Sequence, residues 1–288
     1  MIEFEPRRCF KSFVETVTAD RRAGDIDSSN SAIANTSKLI GNSVYGVTIM
    51  NKWKHLDVKF TDMQTAAVLV NNPRFQTLQE FENGCFEVTS RKKSIKFDKP
   101  VQIGFFVYQY AKLRMLDFFY NVIQRFIPES NFHLLEMDTD SLYLALSETS
   151  LDNAVAPELM EEWKTVKIDW FPRTDTEQNI SWDRREPGLF KEEYRGFGFV
   201  GLNPKTYFCK GGDTDKLSTK GVQKQCTITY EEFKRVLATG ECVEKVNRGF
   251  VIKNGSMMTY EMRRKALSYF YAKRKVLADG VTTTYLDV

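Results

Sequence analysis

Two short runs in this chain combine residue types that handle phosphate and metal ions. Lys38-Leu39-Ile40-Gly41-Asn42-Ser43-Val44-Tyr45-Gly46 reads K-x-x-x-N-S-x-Y-G. On a helix, Lys38, Asn42 and Tyr45 fall at i, i+4 and i+7 and share one face. A cation, an amide and a phenol in a row suit a nucleoside triphosphate. The lysine offsets charge that builds during phosphoryl transfer, the amide bonds polar groups of the nucleotide, and the phenol lies against a base pair. Gly46 leaves room for close approach. The second run is Met137-Asp138-Thr139-Asp140-Ser141, entered by His133-Leu134-Leu135-Glu136 and left by Leu142-Tyr143-Leu144-Ala145-Leu146. Two apolar strands joined by D-T-D bring the Asp138 and Asp140 carboxylates together at a tip. Such a pair of hard oxygen ligands suits Mg²⁺ shared with substrate phosphates.

Each run has a plainer reading. K-x-x-x-N is a common solvated helix face, and aspartate-rich hairpin turns are ordinary. The chain holds its own comparison, Asp213-Thr214-Asp215, which follows Gly211-Gly212 between Lys210 and Lys216 and reads as a solvated turn. A third run, Asn203-Pro204-Lys205-Thr206-Tyr207-Phe208, contains K-x-Y. Lys205 could meet primer phosphate and Tyr207 could stack or support the strand. Lys220-Gly221 is a further place for phosphate.

The elements that must carry these residues can be read from periodicity. Residues 7–22 are expected to be helical with Phe10, Phe13, Val14 and Val17 on one side. A turn over 23–31 leads to a helix over 32–45, a strand at 58–61 and the start of another helix at Gln64–Leu69. The stretch 71–99 reads as polar and irregular. Pro100 opens a long helix that stops before Pro128, with Ile103, Phe106, Val107, Tyr110, Leu113, Met115 and Phe118 largely buried. After the D-T-D hairpin come an amphipathic helix at 159–166, a turn-rich stretch at 172–188 and strands within 189–210. Thr229-Tyr230-Glu231-Glu232 is a capping box for a helix ending near Gly240. A last, basic helix is expected at 261–278. This order predicts an α+β protein, with a small antiparallel sheet and flanking helices.

Composition sets the outer limits. The 288 residues are 42% hydrophobic and 13% aromatic, which excludes a disordered chain. No apolar run reaches the ~18 residues of a membrane span, and the start Met1-Ile2-Glu3-Phe4-Glu5 carries no secretory segment. Five scattered cysteines, none in C-x-x-C, point to reduced intracellular thiols and away from zinc or a disulfide framework. The net charge is only +3, yet Arg263, Arg264, Lys265, Lys273, Arg274 and Lys275 fall within thirteen residues free of acids. Arg91, Lys92, Lys93, Lys96 and Lys99 form a second group, and Arg7, Arg8, Lys11, Arg21 and Arg22 a third. Such segregation suits a protein that holds a polyanion. Tyr269, Phe270 and Tyr271, interleaved with the last group, read as core rather than as stacking platforms.

K-x-x-x-N-S-x-Y-G, then D-T-D-S, then K-x-Y resemble, in this order, the motifs of the C-terminal part of a family B DNA polymerase. The stretch from Lys99-Pro100-Val101-Gln102 to Lys112, Leu113, Met115, Asp117 and Tyr120 resembles the palm helix of the protein-primed viral and self-synthesising-transposon branch. The resemblance spans nearly the whole chain. It implies partial fingers (1–50), palm (51–225) and a mainly helical, basic thumb (226–288). It implies a two-metal Mg²⁺ site, incomplete in this chain, with Asp140 as the direct ligand, supported by Asp138. Lys38, Asn42 and Tyr45 would bind the dNTP, and Lys205, Tyr207 and Lys220 the primer and DNA. Its expected partners are a DNA template–primer, dNTPs and a terminal protein primer, with no membrane, inside the cell at a nuclear or viral replication site.

Two departures stand out. Glu136 occupies the position, two before Asp138, where the family usually has tyrosine. D-x-x-S-L-Y-P, which supplies the other metal-binding Asp, is not among the 37 residues before Lys38, and none of the eight prolines follows a tyrosine. The exonuclease and priming domains are also missing. The expectation is therefore either a polymerase part that does not catalyse alone, or a non-catalytic remnant that grips nucleic acid. A reverse transcriptase or RNA polymerase palm fits the motifs poorly.

Overall fold

The structure, a computed structural model, describes residues 7–81, 84–220, 222–223, 227–253, 256–270, 274–278 and 283–285. Gly221, Cys226, Tyr271 and Lys273 therefore lie outside the described residues. The chain begins with helices α1 (Lys11–Ile26) and α2 (Ser31–Thr48), then β1 (Leu56–Thr61), α3 (Met63–Val70), β2 (Phe75–Phe81) and β3 (Cys85–Arg91). Helix α4 (Val101–Asp117) runs through a π-helical stretch, Phe118–Ile123, into α5 (Gln124–Phe126). Next are β4 (Phe132–Asp138), β5 (Ser141–Leu146), α6 (Leu151–Ala154), α7 (Met160–Lys167) and α8 (Glu177–Asp183). The remainder is β6 (Gly198–Asn203), β7 (Thr206–Lys210), β8 (Lys216–Ser218), α9 (Tyr230–Thr239), β9 (Val243–Lys253), β10 (Ser256–Leu267), β11 (Arg274–Val276) and β12 (Thr283–Tyr285). All pairings are antiparallel and the sheets are small, with orders β1-β3-β2, β4-β5, β6-β7-β8, β9-β10 and β11-β12. This is an α+β protein, as expected.

The chain divides into two compact units. The first is Met1–Met50 with Asp98–Glu193, the second Asn51–Phe97 with Tyr194–Val288. In the first, α1 and α2 form an antiparallel pair, and α2 also packs on α4. The second contact is close because of Gly104: a Cβ there would come within 2.4 Å of Ile49 Cγ2 and 2.9 Å of the Tyr45 carbonyl oxygen. Beyond α4 the helix turns into an aromatic core of Phe118, Phe119, Phe126, Trp163 and Trp170, against which Phe132, Met137, Leu142 and Leu144 of β4 and β5 pack. Helix α4 is less covered than periodicity suggested. Tyr110 is 62% and Leu113 61% exposed. Periodicity shows which side of a helix is apolar, but not how much of that side a neighbour covers.

Three charged contacts tie α8 and its flanks into this unit. The Arg22 guanidinium lies 3.7 Å over the Trp182 ring and donates to Glu186 at 2.8 Å. Arg185 donates twice to Asp25, at 2.6 Å each. Arg22 was expected among the surface cations, but its side chain is only 19% exposed and is engaged internally. Asp183 is buried and accepts two side-chain bonds from Arg173, both 2.7 Å, and one from its backbone N–H. The Arg173 hydrogen bonds hold its pKa at about 2, against an ordinary 3.8. A carboxylate whose folded pKa lies below its unfolded one stabilises the fold above the unfolded value, and that contribution is lost as pH falls through the folded one. The melting-temperature gap between wild type and Asp183→Asn is expected to be widest above pH ~4 and to close towards pH ~2.

In the second unit, Val200, Leu202, Phe208, Phe233, Val236 and Leu267 form one core. Helix α9 is capped as expected: Thr229 and Glu232 form the capping box, and Gly240 takes a left-handed φ of 73°. Two expectations are corrected here. The stretch 71–99 contains the β2–β3 hairpin, with Leu78 opposite Val88 and Phe81 opposite Cys85. The basic segment 261–278 is not a helix in its described part. Residues up to Leu267 belong to β10, paired along its length with β9, and Arg274–Val276 forms β11. Met258, Tyr260 and Met262 alternate inward against Phe60, Phe81 and Cys85, a period of two that a helix could not present. The described residues beyond 226 are thus a helix and strands rather than mainly helical. Cys85 and Cys209 are buried free thiols, and Cys9 and Cys242 exposed ones.

Candidate functional site

The D-T-D run forms the tip of the β4–β5 hairpin. Asp138 pairs with Ser141, leaving Thr139 and Asp140 as the loop. The Asp140 N–H donates to the Asp138 carbonyl at 2.5 Å, closing a γ-turn around Thr139, whose φ is 44°. A β-branched residue rarely adopts positive φ, so this turn is strained by ~1–3 kcal/mol. Local bonds offset the strain. Ser141 Oγ donates to the Asp138 carbonyl at 3.1 Å, and the Thr139 hydroxyl to Asp138 Oδ1 at 3.1 Å. The result is a half-buried, oriented Asp138 carboxylate beside an exposed Asp140. The second D-T-D behaves differently: Asp215 Oδ1 accepts from the Gly211 N–H at 3.0 Å, and the Tyr194 hydroxyl donates to the Thr214 carbonyl at 2.9 Å. Its central segment is held by its own neighbours.

Sequence reading missed one feature of the first hairpin. The register shifts between Leu134, opposite Leu144, and Glu136, opposite Tyr143, so Leu135 is a bulge residue. A bulge reverses the inward–outward alternation past it and re-aims the residues beyond, here Glu136, Met137 and Asp138. Met137 thereby reaches the aromatic core. Nothing in the apolar run 134–135 signals which residue is extra.

Lys38, Asn42 and Tyr45 lie on α2, as expected. Lys38 and Asn42 are exposed, and Tyr45 is half-buried with its ring edge-on to Tyr108 of α4, 5.4 Å between centroids. The same helix is pinned on another side by Ser37, whose hydroxyl donates to Asp20 at 2.7 Å. Within the first unit, α4 is the link between the two motifs. One end packs under Tyr45, and its continuation packs under the D-T-D strands.

Gly46 also lies inside α2, where glycine costs about 1 kcal/mol relative to alanine. A Cβ built there meets nothing within 4 Å, so packing among the described residues does not explain the residue. Gly46→Ala is therefore expected to stabilise the helix by ~0.5–1 kcal/mol, a rise of a few degrees in a thermal melt.

The remaining candidates belong to the second unit. Lys205 sits exposed in the β6–β7 turn at φ 66°, its carbonyl accepting from Ser218 Oγ at 3.0 Å. Tyr207 is 7% exposed and stacked on Phe199 at 5.8 Å. Its ring is a core ring, and the lysine alone faces solvent. Lys220 is exposed just beyond β8.

Among the described residues, no group of three His, Cys, Asp or Glu side chains gathers as a metal site. Asp138 and Asp140 are oxygen donors suited to one Mg²⁺ that also binds substrate phosphates. No helix among the described residues is long and apolar enough to cross a membrane. Compared with models of known families, with curated proteins and with solved structures, the chain finds no match in any of the three.

Proposed function

We propose that this chain is the fingers–palm–thumb part of a DNA-directed DNA polymerase of family B, acting on a DNA template–primer with dNTPs. Residues 1–50 would serve as partial fingers, 51–225 as palm and 226–288 as thumb. The observation that carries the reading is the pairing, in one compact unit, of an exposed K-x-x-x-N helix face ending at an unpacked Gly46 with a strained D-T-D tip. A Cβ at Gly46 would meet no described residue within 4 Å, and the strained Thr139 lies exposed at the tip.

In this reading Lys38 holds the triphosphate and offsets its charge, while Asn42 hydrogen-bonds the nucleotide. Tyr45, steadied by Tyr108, backs the nascent base pair. Asp140, exposed at the tip, is the carboxylate that reaches the reacting phosphates, and Asp138, oriented by Thr139, supports it. Mg²⁺, when bound there, supplies charge stabilisation at the phosphates. Lys205 and Lys220 contact DNA backbone, which positions the duplex without reading sequence. A terminal protein as primer, and an intracellular site of replication, follow from the resemblance alone.

A second reading has its own support. D-x-x-S-L-Y-P occurs nowhere in the 288 residues, and the hairpin tip itself carries two carboxylates, Asp138 and Asp140. The chain would then be a remnant that grips nucleic acid without catalysis. Primer extension with Mg²⁺ and dNTPs, beside duplex binding at a stated salt, separates the two. Extension that Asp140→Ala abolishes supports the enzyme. Binding without extension supports the remnant. Neither binding nor extension overturns both.

A further inference from the structure

The second unit carries an exposed feature that the motifs do not account for. Strand β1 starts at Leu56 opposite Arg91, the last residue of β3. The segments 51–55 and 92–97 therefore leave the same end of the sheet side by side. Lys52 Nζ donates to the Lys96 carbonyl at 2.7 Å and ties them together. Trp53 and Phe97 meet there, ring centroids 5.7 Å apart and planes tilted by 48°.

Both rings face solvent: Trp53 is 69% and Phe97 68% exposed. The other tryptophans differ. Trp163 and Trp170 are buried, and Trp182 carries a guanidinium on one face. Leaving two large rings in water forgoes ~1.5–3 kcal/mol of burial for each, and ring contact alone recovers little of it. The two segments and the adjoining strand ends carry Lys52, Lys54, Lys59, Arg91, Lys92, Lys93 and Lys96. Asp57 is the single acid within 51–59 and 91–97, and it pairs with Lys92 at 2.5 Å.

We propose that Trp53 and Phe97, with the lysines beside them, form a stacking platform for the bases of single-stranded nucleic acid. The charge selects a polyanion, and the open ring faces select planar groups. A duplex keeps its bases stacked inside and would leave both rings unused. Every base has a π-face, so the platform tolerates any sequence, each stacked base contributing substantially to affinity. A membrane surface would also attract lysines. However, two rings on cation-rich segments at a strand end do not make the continuous apolar face that interfacial insertion requires. Trp53 and Phe97 belong to the second unit, Lys38 and Asp140 to the first, and neither ring is among the residues of the proposed nucleotide chemistry.

The test uses the full chain without Mg²⁺ or dNTPs, so its outcome does not depend on the polymerase reading. Two probes are compared by fluorescence anisotropy: oligo-dT of about twelve nucleotides, within the span such platforms cover, and an abasic oligomer of equal length. Trp53→Ala is expected to weaken oligo-dT binding about fivefold to a hundredfold and to leave abasic binding unchanged. Trp53→Phe is expected to restore most of the loss. Lys93→Gln with Lys96→Gln is expected to weaken both probes and flatten the salt dependence. In the wild-type protein, oligo-dT should quench tryptophan fluorescence more than the abasic oligomer does, a readout that needs no variant to fold. Equal losses on the two probes, unchanged oligo-dT affinity in Trp53→Ala, or Trp53-dependent binding to anionic vesicles in place of oligo-dT would each overturn the proposal.

Discussion

Asp140→Ala is expected to reduce primer extension by any active assembly containing this chain by at least about 10²–10³-fold, the usual effect of removing one group that stabilises transition-state charge. The side chain is exposed at the end of a two-residue loop. Its removal should therefore shift stability by no more than ~0.5 kcal/mol. Rate and stability can be measured on the same preparation, and only the rate should move. Asp138→Ala is a poorer probe. That carboxylate is half-buried and accepts the Thr139 hydroxyl, so its loss disturbs the γ-turn as well as the chemistry. Extension that survives Asp140→Ala would mean that the chemistry lies elsewhere.

The second large effect is structural. Trp163→Ala is expected to cost ~3–5 kcal/mol, the usual range for truncating a buried aromatic. Trp163 is 1% exposed and packs against Phe126, 5.4 Å between centroids, and Phe171 at 6.1 Å. Its indole N–H donates to Asp152 at 2.8 Å, and Lys167 donates to the same carboxylate at 2.6 Å. Burial pushes the Asp152 pKa up, but these bonds outweigh it and the net direction is down. Trp163→Phe keeps most of the packing and should lose only the hydrogen bond, ~1 kcal/mol. Urea unfolding of the three proteins checks the order. Phe132, Met137 and Leu142 rest on this same core, so Trp163→Ala should also loosen the D-T-D tip and lower any activity that depends on it.

What could be read from the sequence follows from how local each signal is. The capping box at Thr229, the glycine stop at Gly240 and the D-T-D hairpin need only their immediate neighbours, and all three are present. The helix beneath Lys38, Asn42 and Tyr45 was legible for the same reason. The β10 strand was not. Its outward residues Arg263 and Lys265 and the intervening Arg264 form an unbroken basic run, which hides the alternation of Met258, Tyr260 and Met262. That alternation acquires meaning only when Phe60 and Phe81 arrive from elsewhere in the chain. The β2–β3 hairpin was hidden by polar outer positions such as Gln76, Gln79 and Glu80. For the candidate site, residue identities were legible and surroundings were not. No local pattern distinguishes the solvent-facing Lys205 from the core-facing Tyr207, or reveals that the space beside Gly46 is open.

The chain enters the second unit after Met50, returns at Asp98 and leaves again after Glu193. Neither unit is therefore one continuous stretch of polypeptide. During synthesis, where N-terminal parts fold first, α1 and α2 must wait for α4, and the three-stranded sheet holding β1 must wait for β9 and β10. A ribosome that stops early would release no finished unit until residue 193 has emerged. A protease that cuts once at a crossing would still leave the halves joined by two peptide strands. Cutting this protein into its two parts takes three breaks, and exchanging one part for a homologous one takes two separate insertions.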